Sequence, residues 1–315
     1  MVKKVGIGLL GLGTVGSGVY RILTERGKTL TQRAGVDVEV KGILVRNPAA
    51  GRRVTVEGGL LTTDPERILN NPDISIVVEV LGGEEPARTY IERALRAGKT
   101  VATANKEVIA KHGVELLGLA REQKVDLLFE ASVAGGIPLL RPLQESLAGE
   151  DVEAVYGIVN GTTNYMLTAM DKEGLDFAEV LAAAQRKGYA EADPTADIAG
   201  HDAARKLAIL ASIAFNTQVP IDKVYCSGIE EITAADIAGA RELGYVIKLL
   251  AIARRVEEGI EVRVHPALLP QGHPLSTVDG VYNAVMVQGW AVGTLMFYGA
   301  GAGQMPTGSA VVGDI

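Results

Sequence analysis

A chain of 315 residues can hold two domains of ordinary size, and 38 glycines with few aromatic residues favour a turn-rich α/β protein. The formal net charge of −7 argues against nucleic acid or an anionic membrane surface as the main partner. The one cysteine, Cys226, excludes an internal disulfide and indicates a reducing compartment, the cytoplasm, and no apolar run is long enough to span a membrane.

The first predicted elements are a buried parallel strand over residues 5–10 and an amphipathic helix over residues 17–26. The pattern G-x-G-x-x-G lies between them, where it indicates a dinucleotide site. Gly11 allows a tight turn, Gly13 admits a pyrophosphate, and Gly16 lets helix and strand pack closely. A glycine turn without a ligand is the alternative. The predicted cofactor-binding residues of this turn are Gly11, Leu12, Gly13, Thr14, Val15 and Gly16.

The second strand, residues 38–45, decides which dinucleotide is expected. An acidic residue at its end would hold the ribose 2′-hydroxyl of NAD, but Asp37 and Glu39 lie at its start. Arg46 ends the strand and Arg53 follows closely, and arginine suits the 2′-phosphate of NADP. NADP is therefore favoured and NAD is possible. A solvated arginine loop is the alternative.

Strands and helices continue to alternate up to residue 129, with strands over 74–81, 100–104 and 125–129 and helices over 86–97 and 108–123. This alternation predicts an α/β fold with a Rossmann-type, doubly wound parallel sheet. In such sheets ligands bind outside the carboxyl ends of the strands, so Gly82 and Lys106 are candidate cofactor-binding residues. The glycine-rich segment 130–138 that follows is by itself a turn.

From about residue 137 the strict alternation is lost, which predicts a second, α+β domain. Its strands are expected over residues 152–159, 260–265, 282–288 and 293–298, and its helices over 164–170, 177–187, 197–215 and 234–254. The apolar, β-rich segment 281–298 is hard to cover within a domain of this size. It predicts a homodimer or a higher homo-oligomer assembled through this domain.

Residues 187–206, K-G-Y-A-E-A-D-P-T-A-D-I-A-G-H-D-A-A-R-K, place several charged side chains beside an apolar helix. Asp202 and Lys206 are four residues apart and share the helix face of Ile209 and Ile213, so the pair is expected to point towards the core. Inward-facing charges at the start of a helix indicate a site. An ordinary i,i+4 salt bridge is the alternative.

This segment resembles the signature of homoserine dehydrogenase, as do A-N-K at residues 104–106 and N-G-T-T-N at residues 160–164. The resemblance extends over essentially the whole chain. It implies an oxidoreductase that interconverts L-homoserine and L-aspartate 4-semialdehyde with NAD(P) in the biosynthesis of threonine, methionine and isoleucine. Turn and N-cap chemistry explains the N-G-T-T-N element equally well.

The resemblance also implies roles for individual residues. The catalytic residues would be Lys206 and Lys106, and the substrate-binding residues would be Gly188, Glu191 and Asp202. A monovalent cation, with sodium favoured because oxygen ligands suit a hard cation, is implied as well. Its ligands would be Glu130 and the backbone carbonyls of Val133, Gly135 and Ile137.

The resemblance implies three regions in the chain. Residues 1–136 would bind the dinucleotide, and residues 137–298 would bind the substrate and pair the subunits. Residues 299–315 would return to the dinucleotide domain, where Gly303 would touch the cofactor.

Two other classes of function remain open. One is another two-domain NAD(P)-dependent dehydrogenase, such as a semialdehyde dehydrogenase that oxidises an aldehyde. That chemistry needs a nucleophilic cysteine, and no activating motif surrounds Cys226. A non-catalytic dinucleotide sensor that acts on DNA would need a basic element, which the sequence lacks.

The last residues of the chain, 309–315, read as the start of a helix without a C-terminal cap. We therefore expect the native chain to continue, with the regulatory ACT domain that many homoserine dehydrogenases carry. The form described by these residues would then be insensitive to threonine.

Overall fold

The structure is a computed structural model that describes residues 3–315. The chain divides into two compact units, of which one comprises residues up to Gly136 together with Ala302–Ile315 and the other comprises Ile137–Gly301. Each unit is described by itself. Within residues 3–315, no helix combines the length and the apolarity needed to cross a membrane.

The first unit is built on a parallel sheet that has six strands within residues 3–315, in the order β3-β2-β1-β4-β5-β6. The strands are β1 Lys3–Leu10, β2 Val36–Leu44, β3 Leu61–Thr62, β4 Ile76–Glu79, β5 Thr100–Thr103 and β6 Leu127–Leu128. The helices are α1 Thr14–Glu25, α2 Gly27–Ala34, α3 Glu66–Leu69, α4 Ala87–Arg96, α5 Lys106–Gln123 and α11 Gln304–Asp314. The order confirms the predicted doubly wound sheet, whose direction of winding reverses between β1 and β4.

The last helix of the chain packs closely on the first. A Cβ atom on Gly18 of α1 would lie 1.9 Å from the carbonyl oxygen of Gln304, and a Cβ on Gly308 of α11 would lie 2.8 Å from the carbonyl carbon of Gly18. These two glycines let the helix backbones approach, and Val19 and Val311 are fully buried in the same core. The segment Ala302–Ile315 is therefore an integral part of the first unit.

The second unit contains a mixed sheet, described as six strands in the order β12-β11-β7-β9-β10-β8, in which only the short pairing of β10 with β8 is parallel within residues 3–315. Its strands are β7 Val152–Ile158, β8 Tyr225–Cys226, β9 Tyr245–Val256, β10 Gly259–Pro270, β11 Tyr282–Gly289 and β12 Gly293–Ala300. Its helices are α6 Gly161–Glu173, α7 Phe177–Arg186, α8 Thr195–Ile198, α9 His201–Ala214 and α10 Ala234–Glu242.

Two predicted helices are wrong in this unit. The helix expected over residues 234–254 ends at Glu242, Gly244 adopts a left-handed φ of 80°, and the apolar run that follows is strand β9. A continuous apolar run does not by itself distinguish a strand from a buried helix, and here pairing with β7 and β10 decides the outcome. The helix expected over 197–215 is divided into α8 and α9 at Gly200, whose φ is 83°.

A fully buried lysine joins three parts of the second unit. The side chain of Lys248 on β9 is 1 % exposed, and its Nζ donates to the carbonyl oxygen of Val278 at 2.6 Å and to Oδ1 of Asn164 at 3.1 Å. Oδ1 of Asp279 lies 3.4 Å from the same Nζ. Lys248 thereby ties the central strand to α6 and to the segment that precedes β11.

Candidate functional site

The turn between β1 and α1 has the shape that a dinucleotide pyrophosphate requires. Gly11 has a φ of 109°, and a Cβ on Gly16 would lie 2.3 Å from the carbonyl oxygen of Gly11, so α1 begins directly against the turn. Within residues 3–315, no heavy atom outside Gly13 and its two chain neighbours comes within 4 Å of the Cβ position of Gly13, and no side chain caps α1. The first N–H groups of the helix are therefore left to an anionic ligand.

The neighbouring residues of this turn complete the cradle. The hydroxyl of Ser17 donates to the carbonyl oxygen of Leu12 at 3.2 Å, and the amide of Ser17 donates to the carbonyl oxygen of Gly13 at 2.9 Å. Thr14 is exposed as the first residue of α1, and Val15 is half-buried. The six residues predicted for this turn thus follow the carboxyl end of β1 directly, and Thr14, Val15 and Gly16 form the first turn of α1.

Three arginines follow β2, and the contacts of Arg52 differ from those of the other two. The guanidinium of Arg52 donates to the carbonyl oxygens of Asn47, Pro48 and Ala50 at 2.5–2.7 Å, so it orders the loop itself. Arg46 and Arg53 have exposed side chains beyond the carboxyl end of the strand. Both remain available to an anionic group.

A buried carboxylate that the sequence analysis missed organises the carboxyl ends of β4 and β5. Oε1 of Glu79 accepts from the amide of Leu81 at 2.7 Å, and Oε2 accepts from the hydroxyl of Thr103 at 2.6 Å. Burial raises the pKa of Glu79, and these hydrogen bonds oppose the increase. The carboxyl group thus fixes the start of the β4–α4 loop, where Gly82 lies exposed with a φ of 77°.

The same edge positions Lys106. Oδ1 of Asn105 accepts from the amide of Val108 at 3.2 Å and caps α5, while its Nδ2 donates to the carbonyl oxygen of Gly83 at 2.7 Å. Lys106, half-buried, is the first residue of the capped helix. Asn105 therefore joins the start of α5, where Lys106 lies, to the β4–α4 loop that carries Gly82.

The segment predicted to hold a cation begins at Glu130, which is 8 % exposed and opens the short 3-10 turn Glu130–Ser132. The amide of Glu130 donates to Oδ2 of Asp314 on α11 at 2.9 Å. Val133 is fully buried, and Ala134 and Gly135 both adopt a left-handed φ of 54°. Among residues 3–315, no cluster of three or more His, Cys, Asp or Glu side chains could hold a metal ion. The predicted cation ligands are one carboxylate and three backbone carbonyls, and backbone carbonyls do not count towards a cluster of such side chains.

Two other predicted residues flank these regions. Gly303 is the N-cap of α11 and has a φ of 127°, next to the contact of α11 with α1. Ile137, the last predicted cation ligand, is the first residue of the second unit and is 3 % exposed.

In the second unit, Asp202 and Lys206 form a buried pair on α9. Nζ of Lys206 donates to Oδ2 of Asp202 at 2.7 Å and to the carbonyl oxygen of Val159 at 2.7 Å. The side chains are 5 % and 12 % exposed. The pair faces the interior, as the helix period predicts, and it is attached to the end of β7, so it is not a solvated surface bridge.

Asn160, which the sequence analysis did not single out, holds this pair. Its Oδ1 caps α6 by accepting from the amide of Thr163 at 2.8 Å. Its Nδ2 donates to Oδ2 of Asp202 at 2.9 Å and to Oδ1 of Asp197 on α8 at 2.7 Å. The N-G-T-T-N element points to Asn160 in the sequence, but helix capping alone explains that pattern, so the contact with Asp202 could not be predicted from it.

The loop after α7 carries the two remaining predicted residues. Gly188 has a φ of 73°, and Glu191 is exposed. The hydroxyl of Thr162 at the start of α6 donates to the carbonyl oxygen of Tyr189 at 2.7 Å, and Nε2 of Gln185 donates to the carbonyl oxygen of Glu191 at 3.2 Å. The loop is therefore fastened to the helix that Asn160 caps, which gathers the predicted residues of this unit around the start of α6.

Comparisons with known proteins agree with this arrangement. A family model described as homoserine dehydrogenase matches residues 138–315, and a model described as the NAD binding domain of homoserine dehydrogenase matches residues 11–130. The chain is 54 % identical to the homoserine dehydrogenase of Corynebacterium glutamicum over 318 residues, which are 99 % of this chain and 71 % of that protein. It is 49 % identical to that of Bacillus subtilis over 314 residues, with 100 % and 72 % covered.

Solved structures give the same result. A homoserine dehydrogenase from Thiobacillus denitrificans superposes with a TM-score of 0.94 at 48 % identity, covering 99 % of this chain and 72 % of that one. A hyperthermophilic archaeal homoserine dehydrogenase in complex with NADPH superposes with a TM-score of 0.85 at 28 % identity, covering 99 % and 96 %. The chain therefore belongs to the homoserine dehydrogenase family of NAD(P)-dependent oxidoreductases that act on a CH–OH group.

Proposed function

We propose that Lys206 carries the proton in the reaction of this family, the interconversion of L-homoserine and L-aspartate 4-semialdehyde. The observation that supports this role most directly is an ammonium group, on a side chain that is 12 % exposed, which Asp202 and the Val159 carbonyl hold in place. The stability of α9 does not require this pair, because an exposed i,i+4 salt bridge contributes only about 0.3–0.5 kcal/mol. Charged groups gathered in a shielded position are candidates for a functional site, and this pair is such a group.

The chemistry needs a hydride and a proton on neighbouring atoms. The nicotinamide cofactor supplies the hydride for the aldehyde carbon in reduction and accepts it in oxidation. Lys206 gives a proton to the aldehyde oxygen during reduction and takes it from the hydroxyl during oxidation. Asp202 orients Lys206, and Lys106 adds positive charge that stabilises the developing alkoxide.

The remaining substrate contacts come from the loop after α7. Glu191 accepts hydrogen bonds from the substrate ammonium, and Gly188 contributes its backbone. The bond from Thr162 to Tyr189 supports this assignment, because it holds the loop in place before the substrate binds. We place the reaction in the cytoplasm, in the biosynthesis of threonine, methionine and isoleucine.

Homoserine-dependent reduction of NADP⁺, followed by absorbance, tests the proposal. A non-catalytic sensor would show cofactor binding without turnover. A semialdehyde dehydrogenase would form a thioester on a cysteine. The thiol of Cys226 donates to the carbonyl oxygen of Ala199 at 3.2 Å, and burial raises its pKa, so it is poorly suited to be a nucleophile.

NADP is the preferred dinucleotide in this proposal, because Arg46 and Arg53 are exposed beyond β2 where a 2′-phosphate would lie. Replacing both with glutamine should weaken NADPH binding by roughly tenfold or more, the loss of one or two charge-assisted hydrogen bonds. NADH affinity should change by about twofold at most. Fluorescence titration of both cofactors measures this, and Arg96→Gln on α4 is the control. Equal weakening of both cofactors would show that the arginines act as general electrostatics.

We further propose a monovalent cation, with sodium favoured, on Glu130 and the carbonyls of Val133, Gly135 and Ile137. The buried carboxyl group and the left-handed turn after it support this assignment. Ligands that bind only the folded state stabilise it. The melting midpoint of the wild-type protein should therefore rise more in sodium chloride than in choline chloride, and Glu130→Gln should abolish the difference. The exposed Glu122→Gln is the control, and an equal response to both salts in the wild type would contradict the proposal.

The protein is a homodimer in this proposal, with β12 at the contact. This strand is the edge of its sheet, and the side chains of Met296 and Tyr298 on it are 39 % and 56 % exposed. An unpaired, apolar edge of eight residues favours pairing with a second copy. Light scattering at micromolar concentration should give a dimer, and Met296→Lys should convert it to a monomer. Val114→Lys, at an apolar residue of α5 that is 58 % exposed, should leave the dimer intact. A monomeric wild type would refute the assignment.

A further inference from the structure

Both the oxygen and the nitrogen of the Asn160 side-chain amide form hydrogen bonds within the second unit. Its Oδ1 accepts from the amide of Thr163 at 2.8 Å and from the Thr163 hydroxyl at 3.0 Å, which fixes the oxygen towards α6. The nitrogen must then face the other way, where it donates to Asp197 at 2.7 Å and to Asp202 at 2.9 Å. Asn160 is 5 % exposed, and its contact with Asp202 is buried whereas its contact with Asp197 is partly buried.

The oxygen of Asp202 that accepts from Asn160 is the one that accepts from Lys206. Oδ2 receives Nζ of Lys206 at 2.7 Å and Nδ2 of Asn160 at 2.9 Å. The direction of this carboxylate is therefore set by two donors from two different helices. One donor is neutral and fixed by the cap, and the other is the group that carries the proton in the proposed function.

Only an amide can do both tasks at this position. Serine, threonine and aspartate also cap helices well, but a short hydroxyl cannot donate to two carboxylates, and an ionised carboxylate donates to none. The amide donates to both the half-buried Asp197 and the buried Asp202, whose like charges would otherwise repel each other.

We propose that Asn160 is a positioning residue for catalysis, which ties Asp202 to Asp197 and so holds Lys206 in the geometry for proton transfer. This inference rests on the proposed function of Lys206. It assigns Asn160 a task beyond the N-cap of α6, and the two tasks can be separated because they use different atoms of one side chain.

The test compares two substitutions that keep a capping group, Asn160→Asp and Asn160→Ser. Each should still unfold in one cooperative transition on heating, with a lower midpoint for Asn160→Asp because its carboxylate lies beside those of Asp197 and Asp202, and each should keep an NADPH dissociation constant within about twofold of the wild type. Each should lower kcat for homoserine oxidation by roughly tenfold or more, because a small misplacement of a catalytic group is costly. Thr163→Val removes a hydroxyl that donates to Oδ1 of Asn160 at 3.0 Å and to its carbonyl oxygen at 3.3 Å, both on the capping side, and it should keep kcat within about threefold.

The outcomes separate the inference from the proposed function. If either folded Asn160 variant keeps wild-type kcat, or if only KM for homoserine rises, the inference is wrong and Asn160 is a cap or a substrate contact. The second variant decides the matter if the first does not fold. If the wild-type protein itself shows no homoserine-dependent reduction of NADP⁺, the proposed function fails. A wild type that is active, with Lys206→Ala inactive and both Asn160 variants active, would overturn the inference alone.

Discussion

Lys206→Ala should lower kcat in both directions of the reaction by about two to four orders of magnitude, the range that general acid–base catalysis contributes. The substitution removes the ammonium group that Asp202 and the Val159 carbonyl hold in a partly buried position. The glycine turn that fits the cofactor belongs to the other unit, so the NADPH dissociation constant should be nearly unchanged. Steady-state kinetics with homoserine and with the semialdehyde, and a fluorescence titration with NADPH, measure these quantities.

Two further variants test whether the loss of kcat is specific to Lys206. Lys223→Ala removes a lysine of the same unit that is 74 % exposed, and it should leave kcat unchanged. Glu191→Ala should act in a different way, by raising KM for homoserine, because its proposed partner is the substrate ammonium. Near-full turnover in Lys206→Ala would remove this lysine from the mechanism. A change in cofactor affinity alone for Glu191→Ala would refute its role with the substrate.

Lys248→Met should reduce the free energy of unfolding by roughly 2–3 kcal/mol. Methionine keeps the length of the side chain but removes the donor that serves Val278 and Asn164. Exchanging a complete buried ionic pair for apolar groups is often neutral, but here the acceptors stay in place and lose their partner. Denaturant unfolding monitored by circular dichroism measures the loss.

Lys172 provides a matched control, because it pairs with the same aspartate as Lys248. Lys172, 58 % exposed, pairs with the other carboxylate oxygen of Asp279. Because solvent screens this exposed pair, Lys172→Met should change the unfolding free energy by only about 0.5–1 kcal/mol. Equal losses for both variants would show that the buried lysine contributes no more than a surface bridge.

The pH dependence of the Lys248 effect has a definite sign. Burial lowers the pKa of Lys248 from its ordinary value of 10.5, and Asp279 opposes the decrease. Between the lowered folded-state pKa and that ordinary value, the unfolded chain binds more protons than the folded one, so stability from this group rises with pH. The advantage of the wild type over Lys248→Met should thus be larger at about pH 10 than at about pH 7. A smaller advantage at the higher pH would contradict the lowered pKa.

Local sequence patterns were sufficient for the dinucleotide turn and for the pair on α9. The glycine spacing between β1 and α1 requires only neighbouring residues, because the turn, the open approach at Gly13 and the helix start all lie within six positions. The inward direction of Asp202 and Lys206 follows from the helix period, since both residues belong to one helix. The family was also visible in these local segments.

Tertiary structure decided the features that depend on distant partners. The apolar sequence of β9 is equally compatible with a buried helix, and only its pairing with β7 and β10 makes it a central strand. Asn160 reads as a cap, and its second task appears only because Asp202, 42 residues away in sequence, lies against its nitrogen. Lys248 is similar, since its acceptors come from α6 and from the segment before β11. The sequence alone thus determined the family and the residues of local motifs, because neighbouring positions encode them, whereas the buried polar network was decided by which distant donors and acceptors the fold brings within hydrogen-bonding distance.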